Sequence, residues 1–217
     1  MKSKSLRVVV ILLLCLSVPL AVVAKKKKHQ SGGKSFDYYL LSLSWAPDFC
    51  DLNPQKSGSN ECSSGNKFGL VVHGMWPQFE SGLGPMSCSG PSLDSDSKKI
   101  ATQVMPDAGL AQHEWEKHGT CSGLSAHDYF THIVTAFHSV KIPSEYQNLS
   151  QTINTTPQNV VQDFAKANNV SPDVFRVTCR SQELQEVDVC LDKNFQFRAC
   201  GKVQSCTSRN IKILPPR

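Results

Sequence analysis

The stretch ELQEVDVCLDKNFQFRAC, residues 183–200, alternates apolar and polar residues on both sides of Asp192, Lys193 and Asn194. A period of two residues is typical of a strand with one buried face. Two such runs joined by a short polar turn form an antiparallel hairpin. We therefore predict a hairpin in which Cys190 and Cys200 face each other.

Other periodic segments precede and follow this hairpin. Apolar runs predict strands at 36–45, 68–73, 174–179 and 210–214, and longer patterns predict helices at 97–104, 109–118, 126–139 and 157–168. Strands followed by helices and then by strands favour an α+β fold with a central antiparallel sheet and flanking helices. The sequence has no internal repeat, so we expect a single domain over residues 36–217.

The first 24 residues have the layout of an export signal. A basic start is followed by an apolar stretch at 8–16 and by small residues that end at Ala24. We predict cleavage after Ala24 and a secreted or periplasmic protein with no stable membrane insertion. A retained membrane anchor is the alternative, but Ser17 and Pro19 interrupt the segment, which is short for a span.

The positive charge of the sequence is concentrated at its start. The chain has 23 Lys and Arg against 18 Asp and Glu, a formal net charge of +5. Three of these basic residues lie in the predicted signal and four form the run at 25–28, which leaves 16 basic against all 18 acidic residues. Residues 25–35 are predicted to be a basic, flexible tail. The remaining chain would have to attract a polyanion by a few local cations.

The cysteine count indicates disulfides. Of the 9 cysteines, Cys15 lies in the predicted signal. An even number in an exported protein favours four disulfides over a metal site. Eight cysteines allow 105 pairings, and the hairpin argues for one of them, Cys190 with Cys200.

Residues 113–118, HEWEKH, concentrate ionisable groups on one predicted helix, which Gly119 would close as a C-terminal cap. Glu114 and His118 are four residues apart, so they would share a face, and the carboxylate would orient the imidazole and raise its pKa. Lys117 adds a cation nearby. The alternative to a catalytic site is that residues 113–118 are merely the polar face of a helix.

The same segment does not have the spacing of a metal site. His113 and His118 are five residues apart, about 140° around a helix. The pattern also differs from the HExxH of zinc peptidases. We expect no metal and no other cofactor, which disfavours a zinc-dependent hydrolase.

His73 is the best candidate for a second catalytic histidine. One histidine can take a proton or give one. A displacement at phosphorus with a poor leaving group needs a base and an acid at the same time. The strand predicted at 68–73 would end at Gly74, which places His73 beside a turn. A structural histidine at a strand end is the alternative.

Two segments carry a resemblance to a known family. VHGMWPQ (72–78) and HEWEKHGTC (113–121) resemble the two active-site segments of the T2 family of secreted ribonucleases. LSLSWAPDFC (41–50) resembles the first strand and first disulfide cysteine, and the last four cysteines follow a similar pattern. The resemblance covers roughly residues 36–206. Met75 replaces the usual leucine, and the family's acidic residue near Gln78 and glutamine near Ser44 are absent, so base preference does not transfer.

The resemblance implies a role for each matching residue. His118 would be the general base that takes the ribose 2′-OH proton, and His73 the general acid that protonates the leaving 5′-oxygen. Glu114 and Lys117 would stabilise the pentacoordinate phosphorane, and His113 would contact the phosphate. The product would be a 2′,3′-cyclic phosphate, later hydrolysed to a 3′-phosphate.

The expected substrate is single-stranded RNA, because DNA lacks the nucleophilic 2′-OH. Trp76, with Gln78 or Phe79, would contact a base, since stacking tolerates any base; core packing is the alternative for Trp76.

The family pattern implies disulfides Cys50–Cys62, Cys88–Cys121, Cys179–Cys206 and Cys190–Cys200. We expect a monomer. The rival reading is an exported protein that binds RNA or a protein on this fold without cleaving.

Asn148 and Asn154 begin two N-glycosylation sequons. They would be modified in a eukaryotic secretory pathway and not in a bacterium. The sequence does not decide between these sources.

Overall fold

The computed structural model describes residues 35–63 and 65–216. The predicted signal at 1–24 and the tail, except residue 35, lie outside the described residues. The strands are β1 (Tyr38–Trp45), β2 (Leu70–Gln78), β3 (Ile153–Thr155), β4 (Phe175–Arg180), β5 (Glu183–Leu191) and β6 (Ile211–Ile213). The α-helices are α1 (Ala46–Leu52), α2 (Ser95–Ala101), α3 (Ala108–Lys117), α4 (Ala126–Ser139), α5 (Ser144–Gln147) and α6 (Pro157–Asn168). Short 3-10 turns occur at Pro54–Lys56, Gly119–Cys121 and Pro172–Val174.

These strands form one sheet in the order β2-β1-β5-β6-β3, and β4 also pairs with β5. The pairs β1–β2, β1–β5 and β4–β5 are antiparallel. The parallel contact is limited to Glu183 of β5 with Lys212 of β6. The predicted α+β class with a central antiparallel sheet and flanking helices is therefore confirmed.

The two faces of β1 differ in chemistry. Leu41 and Leu43 belong to the main core, together with Trp115 of α3 and Phe130 of α4. The alternate residues of β1 are Tyr38 and Leu40, in a small second cluster with Cys190 and Cys200, and the buried polar residues Ser42 and Ser44. The second face can therefore carry polar side chains, and the candidate site lies on this side of the sheet.

Two helices have the predicted ends because side chains cap them. α4 begins after Ser125, whose hydroxyl accepts a hydrogen bond from the Asp128 N–H, and α6 begins after Thr156, which caps the Asn159 N–H. The predicted helix at 97–104 lies slightly earlier in the chain, since Asp94 caps it. A helix predicted from 109 begins at Ala108 after the Asp107 cap and ends at Lys117.

The second strand was predicted to end at His73, and this was wrong. β2 continues through Gly74 to Gln78. Ser42 of β1 pairs with Gly74 and Leu43 pairs with Val72, so His73 is an extra, unpaired residue. This is a β-bulge, which turns a side chain out of the regular alternation. His73 therefore lies in the middle of a strand rather than at its end.

The C-terminal hairpin is shorter than predicted. β5 ends at Leu191, and the return segment is limited to a bridge between Leu191 and Phe197 and a hydrogen bond from the Arg198 N–H to the Cys190 carbonyl. Phe195 has a left-handed φ of 61°. The Cys200 N–H donates a hydrogen bond to the Asp173 carbonyl instead of pairing with β5. The return segment therefore leaves the sheet after a few residues.

All the cysteines within the described residues form disulfides, and the four bonds join the pairs that the family resemblance implied: Cys50–Cys62, Cys88–Cys121, Cys179–Cys206 and Cys190–Cys200. Such density is typical of exported proteins. Over residues 35–63 and 65–216, no helix has the length and apolarity needed to cross a bilayer.

Candidate active site

His73 lies between two carboxylates. Its Nδ1 is 2.6 Å from Oε1 of Glu186 on β5, and its Nε2 is 3.6 Å from Oε1 of Glu114 on α3. The His73 side chain is 37% exposed, while both carboxylates are buried. The bulge at His73 brings one ring nitrogen to β5 and leaves the other facing the cleft side of α3.

Glu114 is held against β2 by a glycine and a tryptophan. The Trp76 Nε1–H donates to Oε2 of Glu114 over 2.7 Å. A Cβ at Gly74 would collide with the same carboxylate and with the Trp76 indole. α4 supports this arrangement, because the Tyr129 hydroxyl donates to the Met75 carbonyl over 2.6 Å.

His118 occupies the C-cap of α3 rather than its last turn. Its φ and ψ are −126° and −45°, and its backbone N–H donates to the Glu114 carbonyl. The prediction that the Glu114 side chain orients His118 was wrong, because the chain leaves helical geometry there and the carboxylate faces His73 and Trp76. Gly119 is not a left-handed cap. It is required because a Cβ there would collide with the Trp115 ring.

Both histidines lie against Trp76. The ring centroid of Trp76 is 5.3 Å from that of His73 and 5.3 Å from that of His118. Nδ1 of His118 is buried and has no hydrogen-bond partner among the described residues. Its other ring nitrogen, Nε2, is therefore the one that can accept a proton from a bound molecule.

The two imidazoles have opposite pKa shifts. Burial, together with the positive charges of Lys117 and His113, lowers the pKa of His118 to about 4. Burial also acts to lower the pKa of His73, but the hydrogen bond and charge of Glu186, with the charge of Glu114, outweigh it and raise that pKa. Near neutral pH His118 is therefore neutral, while the raised pKa of His73 shifts that imidazole toward its protonated form.

The raised pKa of Glu114 also affects its chemistry. Burial raises the pKa of this carboxyl group, against the opposing influence of His73 and the Trp76 hydrogen bond. The shift favours a neutral acid, which is able to donate a hydrogen bond to a phosphate oxygen.

Lys117 and His113 line an adjoining open cleft of about 310 Å³, together with Ser87, Cys88 and Glu116. His113 is exposed and Lys117 half-buried. The Ser87 N–H donates to the Lys117 carbonyl, and the Cys88–Cys121 disulfide joins this loop to the end of α3. Positive charge on either side chain is close enough to lower the pKa of His118.

The three predicted base-contacting residues have different environments. Trp76 is half-buried between the two histidines. Gln78 is buried near the end of β2, opposite Tyr38, and Phe79 packs against the main core. Trp76 is the one of the three whose ring contacts the histidines.

A small cavity of about 100 Å³ opens beside His73 and Glu186 and is lined by Ser44, Phe49, Glu61, Val71, Val72, Leu110 and Gln185 as well. Oε1 of Glu61 is buried without a hydrogen-bond partner among the described residues. Burial raises the pKa of Glu61 to about 7.

Sequence reasoning missed Glu186 and Glu61. Alternation in β5 marks Glu186 only as a residue of the polar face, although the strand is buried throughout apart from Gln185. A buried glutamate is rare unless it has a partner. The signal in the sequence is therefore weak, and the partner becomes visible only in the folded structure. Within residues 35–63 and 65–216, no cluster of three or more His, Cys, Asp or Glu side chains is arranged to hold a metal ion.

Comparison with known proteins identifies the family. The model of the ribonuclease T2 family matches residues 36–200. The chain belongs to the ribonuclease T2 family. A family relative, the ribonuclease of Aeromonas hydrophila, is 41% identical over 121 residues, which cover 56% of this chain and 53% of that protein. A probable ribonuclease of Haemophilus influenzae is 30% identical over 184 residues, 79% of this chain and 63% of that protein.

The fold is also that of a solved ribonuclease structure. Ribonuclease MC1 from the seeds of bitter gourd superposes with a TM-score of 0.65 at 22% identity, over 81% of this chain and 99% of that one. The match with the bacterial relatives is less complete, since the chain spans between one half and two thirds of their length.

Proposed function

We propose that this chain is an endoribonuclease that cleaves single-stranded RNA by transphosphorylation and uses no metal ion or other cofactor. The observation that carries the proposal is the pair of histidines against Trp76 with opposite pKa shifts. Environments that separate the pKa values of two titratable groups are typical of an acid and a base working together. Membership of the ribonuclease T2 family supports the same reaction.

In the proposed reaction, Nε2 of neutral His118 removes the proton from the ribose 2′-OH. The 2′-oxygen forms a bond to phosphorus, and the bond from phosphorus to the 5′-oxygen breaks. Nε2 of protonated His73 gives its proton to that leaving oxygen. The products are a 2′,3′-cyclic phosphate and a 5′-OH. In a second step the two histidines exchange roles, and water opens the ring to a 3′-phosphate.

Charge develops on the phosphorane oxygens during the first step. The Lys117 ammonium attracts this charge, and the protonated form of Glu114, toward which burial shifts the pKa of the group, donates a hydrogen bond to one oxygen. His113, exposed on the same helix, contacts a phosphate. Trp76 stacks a base, with Gln78 and Phe79 in supporting positions. Because the nucleophile belongs to the substrate, the protein needs no serine or cysteine nucleophile, and DNA is not cleaved.

The disulfides and the predicted export signal indicate the compartment in which the protein acts. We propose that the protein is exported, secreted or periplasmic, with removal of residues 1–24, and acts as a monomer. The four disulfides support an oxidising compartment.

The experiment is to incubate purified protein with single-stranded RNA and with DNA of the same sequence in excess EDTA, and to identify the ends by mass. The proposal requires RNA fragments that end in 2′,3′-cyclic phosphate and DNA that stays intact. The matched variants are H118A, which should lose at least about 100-fold in activity, and H127A, which removes an exposed histidine of α4 and should be fully active. Intact RNA that is nevertheless bound would indicate the rival, non-catalytic binding protein. Cleavage that returns only on adding zinc would contradict the mechanism.

A further inference from the structure

Glu186 reaches His73 across an intervening strand. Glu186 of β5 pairs with Ser44 of β1, and the next residue on this face, Asp188, pairs with Ser42. β1 separates β5 from β2, on which His73 lies. The two serines are the smallest side chains on this part of the β1 face, so they leave room for the glutamate to pass over the strand. The bulge at His73 completes the approach, and the resulting contact is 2.6 Å.

The Glu186 carboxylate is itself held in place. Its side chain is 10% exposed, and its second oxygen, Oε2, accepts a hydrogen bond from the Thr178 hydroxyl of β4 over 3.2 Å. A hydroxyl group of the neighbouring strand β4 therefore helps to fix the carboxylate that faces Nδ1 of His73. An arrangement with a buried carboxylate on one ring nitrogen determines both the tautomer and the orientation of the imidazole.

We propose that Glu186 is a positioning residue for the general acid: it holds the Nδ1–H of His73, so that the transferable proton is carried on Nε2. The inference rests on the proposed function. When His73 gives its Nε2 proton to the 5′-oxygen, the ring becomes neutral and keeps Nδ1–H. Glu186 remains a carboxylate throughout and takes no proton. The roles are those of a carboxylate that orients a catalytic histidine and stabilises its imidazolium form.

Other charged groups also face His73. Glu114 approaches from α3, Glu61 from the segment after α1, and Asp188 from β5, while His118 lies on the other side of the cleft. Oε1 of Glu114 is 3.6 Å from Nε2 of His73, and Oε2 accepts a hydrogen bond from the Trp76 indole. Asp188 forms an ion pair with Arg176 at 2.6 Å. Glu186 differs from these groups because its contact is a hydrogen bond to Nδ1.

The test is an NMR titration of the His73 imidazole in the wild-type protein and in E186Q. The glutamine keeps the shape and can still accept from Nδ1–H, but it removes the charge. We expect the pKa of His73 to fall by about 1 unit or more, as for loss of an adjacent opposite charge. The alkaline limb of kcat/KM on RNA should move to lower pH by the same amount. E183Q is the matched control, because Glu183 lies on the same strand and pairs with Lys212; it should leave both quantities unchanged.

An unchanged His73 titration in folded E186Q would overturn the inference, even if activity fell, because a merely structural residue would lower activity without moving the pKa. If E186Q does not fold, the wild-type protein still decides. Neutral His73 should be the Nδ1–H tautomer with a downfield Nδ1 proton, and an Nε2–H tautomer would contradict the proposal. Absence of RNA cleavage by the wild-type protein would overturn the proposed function, and with it the catalytic role of the contact. That failure is distinguishable because the titration does not depend on turnover.

Discussion

The Glu114 carboxylate occupies the space beside Gly74 that a Cβ at position 74 would need. Strand β2 and helix α3 therefore approach each other at a point where the strand has no side chain. This close approach places Glu114 within reach of both His73 and Trp76.

Replacing Gly74 by alanine should displace Glu114 and lower activity while the fold persists. A displacement of about 1 Å at a reacting centre can cost about 100-fold in rate. We expect kcat/KM on RNA to fall by about that factor, with little change in far-UV circular dichroism. G58A is the matched control, since a Cβ at Gly58 meets nothing within 4 Å. Wild-type activity in G74A would show that the position of Glu114 is unimportant.

Replacing Trp76 by phenylalanine should lower kcat, because it removes the indole N–H that Glu114 accepts while retaining an aromatic face. A typical hydrogen bond is worth about 0.5–1.5 kcal/mol and one to a charged group about 1.5–3 kcal/mol, which corresponds to a loss of about 2-fold to more than 10-fold. The comparison is a double-mutant cycle with E114Q. If the hydrogen bond carries the effect, W76F should cost much less in the E114Q background; equal losses in both backgrounds would assign Trp76 to base stacking instead.

Removing either histidine should reduce kcat by about 100- to 10,000-fold, the contribution of a general acid or base. H73A and H118A are compared with H127A, because the wild-type His127 imidazole is exposed on α4. The double variant H73A/H118A should be little worse than the worse single variant, because the two groups act in one step. Losses that multiply would mean that the two histidines act independently.

Asp48 should be important for stability rather than for catalysis. It is fully buried in α1, and its two oxygens accept from the backbone N–H groups of Leu184 and Leu214. D48A leaves these donors without a partner, at a cost of about 1–3 kcal/mol each. Urea unfolding measures the loss. D96A is the control, because the exposed pair of Asp96 with Lys99 contributes less than about 1 kcal/mol; a similar small loss in D48A would contradict this role.

The helices that the sequence predicts best are those with strong local signals. Ser125 and Thr156 are the N-caps of α4 and α6, and the apolar residues of both helices are regularly spaced. The bounds of these two helices therefore depend on residues that are close together in the chain. The bulge at His73 has no such signal. It depends on the register between β1 and β2, which cannot be predicted from the alternation of apolar and polar residues in either strand alone.

The same distinction applies to the site. His73, Glu114, Lys117 and His118 were predicted from their residue types and local spacing, and the resemblance of their segments to a family pattern gave each a role. Their partners were not found by spacing. The rule that residues four apart share a helix face fails at His118, where the helix has already ended. Glu186 is 113 residues from His73 in the chain, and only the order of three strands brings them together.

The measurement that tests the central claim most directly is the pH dependence of kcat/KM on a short RNA substrate between pH 3 and pH 9. The base must be neutral and the acid protonated. Activity should therefore fall as the pH drops through about 4, where His118 takes a proton, and fall again above the ordinary histidine pKa of 6.5, where His73 loses one. A bell with these two limbs is the predicted result. A flat profile between pH 4 and pH 9 would contradict the assignment of the two histidines as base and acid.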